Sequence, residues 1–208
     1  MSNEEQAVLD FFAQAENLPL ALSVAEQMDA LRQQMNNTFW RELQAHIAAL
    51  NPDWKVQVTE DGNAPDCLVG LYLQPPHAQT LFLRPMMEQQ ILGGTTRIYF
   101  GLMWSGTPTP ETTQLAHVGA LRDALQMEGF KSNASFLAWQ WSPYHPRRKD
   151  FLLRFSRHPD VLLDEAAALL HGLLANHATA IQAANAALQT APSSEPVSLE
   201  QLRANLKH

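Results

Sequence analysis

The sequence predicts an α+β domain, a mostly antiparallel sheet of about six strands covered by three long amphipathic helices. Three observations predict it. Long runs toward each end of the chain carry apolar residues three and four apart, the repeat of a helix with one buried face. Between them lie short runs that alternate at period two or are apolar on both faces. Those runs follow one another through short turns, which only antiparallel strands allow.

The elements follow in order. A short helix is expected over Glu4–Gln14, with Leu9, Phe11 and Phe12 as its apolar residues. A long helix opens at Asn17-Leu18-Pro19, with Asn17 as N-cap and Pro19 in the first turn. Its stripe is Val24, Met28, Leu31, Met35, Phe39, Leu43, Ile47 and Leu50, and Asn51-Pro52 ends it. At 1.5 Å per residue it measures roughly 46 Å, so its end extends past the sheet or it kinks near Asn36-Asn37-Thr38. Strands are expected at Trp54–Thr59, Leu68–Leu73, Thr80–Arg84 and Arg97–Trp104, the last apolar on both faces and therefore central. Asp61-Gly62-Asn63 and Gly93-Gly94 read as turns, and Pro75-Pro76 ends the second strand. A helix over Pro110–Glu128 is capped by Thr109 and closed by Gly129 with Phe130 behind it. Two further strands, Ser135–Ser142 and Phe151–Ser156, precede a helix from His158 to Leu188. Residues 1–190 form one domain, with residues 1–15 as its short N-terminal helix. Residues 191–208 form a proline-bearing linker and a last short helix opened by the capping-box pattern Ser198-Leu199-Glu200-Gln201.

A chain of 208 residues can bury about 70% of its unfolded surface without metal or disulfide staples. One cysteine, Cys67, excludes an internal disulfide. It points to a reducing compartment and reads as a small buried hydrophobe. The N-terminus lacks a basic and then apolar leader pattern, and no apolar run reaches bilayer length. A cytoplasmic location with no membrane contact is the expectation. Net charge is −7 but uneven: residues 1–66 carry −8, residues 67–155 carry +3 and residues 156–208 carry −2. The whole chain lacks the basic surplus of a general nucleic-acid binder.

Chemistry-bearing patterns are sparse. His171 and His177 are six apart on one helix, which places them on different faces, whereas a helical metal pair needs three or four. His177 on an apolar stripe reads as a satisfied core or interface residue. No Cys-x-x-Cys, His-x-x-x-His or Gly-x-Ser-x-Gly occurs, and Gly93-Gly94 precedes a strand where a phosphate cradle requires a helix N-terminus. No catalytic residue, metal ligand or cofactor site is expected. The most distinctive segment runs Trp139, Trp141, Tyr144, His145, Arg147, Arg148, Lys149. Two readings stand. Aromatic rings beside guanidinium groups can stack a base and hold a phosphate or an acidic partner. Alternatively, Trp139 and Trp141 share one strand face as ordinary sheet surface, and Arg147 to Lys149 keep a hairpin loop solvated.

Several segments occur in a telling order. They are Tyr99-Phe100-Gly101-Leu102-Met103-Trp104, then Glu128-Gly129-Phe130-Lys131-Ser132, Trp139-Gln140-Trp141, Phe151-Leu152-Leu153-Arg154-Phe155, and a closing helix with Ile181 and Asn185. Across about residues 20–190 the chain resembles the C-terminal region of a group of bacterial PD-(D/E)XK nuclease-superfamily proteins of unknown function. The resemblance implies an acid followed by Asp/Glu-x-Lys that binds a divalent metal. Asp66 imitates the first acid, but no Asp/Glu-x-Lys follows it. Asp53-Trp54-Lys55 comes before it, and Glu128 and Lys131 straddle a helix end. The likeness is to the accessory part without the cutting part.

The leading expectation is therefore a non-catalytic partner-binding or regulatory protein of a bacterial cytoplasm, in a setting such as a defence system, a mobile element or immunity. Its partner is a protein, self or other. The first alternative is a nucleic-acid-binding accessory protein using Tyr144, His145, Arg147, Arg148 and Lys149. The second is an enzyme whose pocket only the fold assembles.

Overall fold

The computed structural model describes residues 2–75 and 81–190. In chain order the described residues form α1 (Asn3–Phe12), α2 (Leu18–Leu50), β1 (Lys55–Asp61), β2 (Ala64–Gln74), β3 (Leu83–Leu92), β4 (Thr95–Trp104), α3 (Pro110–Thr113), α4 (Ala116–Met127), β5 (Phe136–Trp141), α5 (Lys149–Arg157), α6 (Pro159–Asn176) and α7 (Ala178–Gln189). The five strands make one antiparallel sheet whose spatial order is the chain order. The α+β class stands, with five strands among the described residues and more numerous helices than expected, α2 keeping its expected span while the two later ones are divided. The expected linker and last helix within residues 191–208, and the start of the expected strand at Thr80, lie outside the described residues.

Hairpin geometry corrects the third strand. Gly93 and Gly94 have φ of 54° and 78°, the mirror-image turn in which two residues suffice to reverse the chain. That turn pairs Leu92 with Thr95 and propagates unbroken to Leu83 opposite Trp104. The strand therefore occupies Leu83–Leu92 rather than Thr80–Arg84.

The expected sixth strand, Phe151–Ser156, is the helix α5. A strand would place Phe151, Leu153 and Phe155 on one face. Instead Phe151 and Phe155, one helical turn apart, are buried against Phe39, while Leu153 is 41% exposed. The helix expected from Pro110 splits into α3 and α4 at Gln114-Leu115, and the last long helix splits into α6 and α7 at His177. Thr109 does cap α3, accepting from Thr112 N, and Gly129 adopts φ 90° behind α4.

One sheet face carries the helices. α2 crosses β1 and β2, α6 packs on α2 and on β3 and β4, and α7 packs on α4 and β3. Phe39, Leu43 and Ile47 of α2 meet Leu71, Leu83, Phe100 and Leu102 from the strands and Leu163, Ala166 and Leu170 from α6 in one core. One buried polar side chain ties distant elements across it: Asn185 of α7 accepts from Leu83 N at 2.8 Å, which joins α7 to the first residue of β3. The opposite sheet face bears a smaller cluster made of strand side chains alone.

Candidate functional site

Two surfaces are unusual, a helical arm and the sheet face that no helix among the described residues covers. The arm begins with a local rule. Ser2 and Glu5 form a reciprocal capping box that starts α1. After Phe12, Asn17 does not cap α2 with its side chain; its Nδ2 donates to Phe11 O at 3.0 Å and so ties the start of α2 back to the end of α1. α2 then runs unbroken to Leu50, with no kink at Asn36-Asn37-Thr38. Those asparagines instead fasten the helix to the sheet. Asn36 Nδ2 donates to Leu68 O at 2.6 Å, Asn37 Nδ2 donates to Asp66 O at 2.5 Å, and Leu68 N donates to Asn37 Oδ1 at 2.8 Å. Asp66 sits at φ 70°, a left-handed conformation that this clamp holds in place.

The clamp divides α2. The buried residues of α2 begin at Asn36, and α1 contains none. The stripe that forms the core from Phe39 onward continues outward through Met35, which still packs on that core, to Met28 and the exposed Leu31 and Val24. Phe12, Ala21, Val24, Ala25, Met28, Asp29 and Arg32 line an open, mainly apolar groove of about 440 Å³ along this arm.

The uncovered sheet face is built from alternate residues of β2 to β5. Tyr99 is buried at its centre, with Phe136, Trp139 and Trp141 edge-on around it at 5.7, 6.4 and 5.7 Å. Its hydroxyl donates to Glu88 at 2.5 Å on the neighbouring strand. Arg97 lies 4.5 Å over the Trp141 ring and Arg84 lies 4.6 Å over Tyr72, so guanidinium groups roof the aromatic layer. Burial lowers the Arg84 pKa from its usual value. Gly101 faces Trp139 on β5, and a Cβ there would overlap the Ala138 carbonyl, so this pair of strands can close only around glycine.

The residues singled out in sequence fall differently. Trp139 and Trp141 do share a strand face, but their cationic partners are Lys131 and Arg97, not the 147–149 segment. Tyr144 is buried. Its ring packs against Phe151 and its hydroxyl donates to Glu165 at 3.2 Å, so it is a core residue and not part of an exposed patch. Burial first, and then the Glu165 carboxylate, push its hydroxyl up to about 12. His145 is half-buried, with its Nδ1 lacking a hydrogen-bond partner. Arg147, Arg148 and Lys149 are exposed. Arg148 reaches Asp150 at 3.3 Å, and Lys149 opens α5 instead of sitting in a strand-to-strand loop. Sequence reading passed over Tyr72, Arg84 and Arg97. The alternation Arg97, Tyr99, Gly101, Met103 carried the signal, and it was masked by the equally apolar opposite face of the same strand.

Acid–base groups are few. His46 Nδ1 lies 3.1 Å from Asp164 Oδ1, and no side-chain hydroxyl hydrogen-bonds its other nitrogen among the described residues. His177 Nε2 lies 3.1 Å from Glu128 Oε1, joining the α6–α7 break to the end of α4. Cys67 is buried, and burial raises its pKa. Among the described residues no three His, Cys, Asp or Glu side chains gather where they could hold a metal ion, and no helix is long and apolar enough to cross a membrane. Compared with family models, with curated proteins and with solved structures, the chain has no match.

Proposed function

We propose that the protein works by surface contact, as a non-catalytic partner-binding protein whose docking element is the helical arm. One observation carries this reading. Among the described residues, nine of the fifteen exposed large apolar side chains lie between Val8 and Leu31. Helices shorter than about 12–15 residues are marginal in water, so α1 needs apolar cover that the described residues do not supply. The resemblance to the accessory region of PD-(D/E)XK proteins supports a bacterial cytoplasmic setting such as defence, a mobile element or immunity. The test is affinity capture from native lysate with the intact protein and with a Phe12→Asp plus Leu20→Asp variant. The partner, self or other, is recovered by the first and lost by the second. An intact protein that captures nothing and is monomeric refutes the reading.

A second reading rests on the uncovered sheet face. Half-exposed Trp139 and Trp141 beside Arg97 and Arg84 offer rings for bases and charge for phosphates, as in sheet-based single-strand binders. A low-salt gel shift with single-stranded nucleic acid decides it. On this reading Arg84→Ala plus Arg97→Ala abolishes the shift. If Arg147→Ala plus Arg148→Ala abolishes it instead, the exposed 147–149 segment is the contact.

A further inference from the structure

Resting on the second reading, that of the sheet face, we infer that its ligand is a single strand of nucleic acid laid along β4, with two bases on Trp139 and Trp141 and a phosphate on each of Arg84 and Arg97. The strand register sets this order. On this face β4 presents Arg97, Tyr99, Gly101 and Met103 in turn. Tyr99 pairs with Trp141, Gly101 with Trp139, and Met103 with Arg84 of β3. Along the strand direction the two half-exposed indoles therefore lie between the two arginines. Arg84 stands six residues before Gln90, the partner of Arg97, so the arginines are about 20 Å apart. Trp139 and Trp141 are perpendicular, with ring centroids 5.5 Å apart, so they cannot grip one base between them and each takes its own. Two stacked bases with a phosphate beyond each end make a site of about four nucleotides, at the small end for single-strand binders.

What this face lacks identifies the ligand. Among the described residues eight buried side-chain polar atoms have no hydrogen-bond partner, and four of them belong to this face: Thr59 Oγ1, Arg84 Nε, Arg97 Nε and Trp139 Nε1. Three are N–H donors and the fourth is a hydroxyl, so the group they lack in common is an acceptor. A buried donor without one is costly, and a ligand that supplies it removes that penalty. Each arginine Nε is covered because its guanidinium lies over a ring. Tilting the group presents Nε and an Nη together, the edge that takes two phosphate oxygens. Charge agrees. From β3 to β5 one acid faces this side, Glu88, and its carboxylate is already engaged by the Tyr99 hydroxyl at 2.5 Å. Against it stand Arg84, Arg97 and Lys131, the last 5.8 Å over the Trp139 ring. Burial depresses the Arg84 pKa, and an anion beside it offsets that desolvation. An acidic peptide brings acceptors but no planar group for the indoles, and a duplex keeps its base faces stacked inside.

Titration of the intact protein with oligothymidylates of about two to ten nucleotides, followed by indole fluorescence across a salt series, tests this. The expected result is quenching, with an affinity that climbs to about four nucleotides and is nearly flat beyond. The slope of log affinity against log salt is about −2, as for about three neutralised phosphates on a single strand. Arg84→Gln and Arg97→Gln, which keep a polar stem over the ring, each leave the melting curve in place, weaken binding about tenfold and make the slope shallower by about 0.7. Arg84→Lys keeps the charge and loses the fork, so it keeps the slope and still weakens binding. Absence of binding to any single strand at low salt overturns this inference together with the second reading and leaves the arm reading standing. Binding as tight for the shortest oligonucleotide as for the longest overturns the four-nucleotide site while the second reading survives. Binding that both glutamine variants keep and Arg147→Ala plus Arg148→Ala abolishes overturns the assignment to this face. Polyglutamate of matched charge that binds as tightly, without quenching, overturns the stacking of bases.

Discussion

Asn37→Ala is the sharpest probe of what holds the arm to the domain. The side chain makes two hydrogen bonds to the start of β2, donating to Asp66 O at 2.5 Å and accepting from Leu68 N at 2.8 Å. Each such bond contributes about 0.5–1.5 kcal/mol net, and stranding the partly buried Leu68 N–H costs about 1–3 kcal/mol more than simple loss of a contact suggests. A destabilisation of about 2–3 kcal/mol is expected. For a chain of this size, 1 kcal/mol moves Tm by roughly 2–4 °C, so the melting point should fall by about 5–10 °C. Asn36→Ala supplies the comparison. It removes a donor to Leu68 O, but that carbonyl keeps Gln89 Nε2 at 3.5 Å, and the Asn36 Oδ1 it also removes is buried without a partner. Its cost should be about 1 kcal/mol. Urea denaturation of both variants, followed by far-ultraviolet circular dichroism, gives the two values with their slopes. If Asn37→Ala costs less than about 0.5 kcal/mol, or less than Asn36→Ala, the clamp is not what fastens α2 to the sheet.

Two other outcomes can be checked in the same assay. Phe155→Ala empties a site packed on Phe39 and Phe151 and should cost about 3–5 kcal/mol, while half-exposed Leu153→Ala should cost under about 1 kcal/mol; equal costs would restore the strand reading of this segment. Tyr144 is raised from its ordinary value of 10 to about 12, so the folded state holds this proton more tightly than the unfolded state. Its contribution is whole below pH 10 and is lost as the pH rises through 12. Tyr144→Phe should flatten that alkaline fall in a stability–pH series, and an unchanged slope would refute the assignment. The same carboxylate works oppositely in acid. The Arg154 guanidinium, and to a lesser degree Tyr144, depress Glu165, whose small contribution is present above its usual range and lost as the pH falls.

The second sheet face suits a surface role because, among the described residues, strand side chains build it without a helical layer. Met86, Tyr99 and Phe136 are almost wholly buried, in a cluster whose members among the described residues all come from strands. The Arg84 and Arg97 guanidinium groups lie over the Tyr72 and Trp141 rings and cover part of their apolar faces. A face so arranged is stable when free and still offers stacking surface to a ligand.

Local chemistry determined much of this protein from its sequence alone. Capping by Thr109, the left-handed Gly129 and the Gly93-Gly94 reversal are short-range effects, and each appears where the residues require it. The helical stripe from Val24 to Leu50 and the antiparallel order of strands were legible for the same reason: period and turn length are properties of neighbouring residues. Tertiary structure decided the rest. Phe151–Ser156 satisfies both periods, and only the position of Phe39 on a distant helix selects α5. Tyr144 looked like a surface aromatic until Glu165 and Phe151 closed around it, and Arg97 found Trp141 only through the pairing of β4 with β5. Whether a stripe is core or interface is likewise not written in its spacing. Leu31 and Phe39 belong to one stripe, and only the tertiary packing determines that Phe39 is covered and Leu31 exposed.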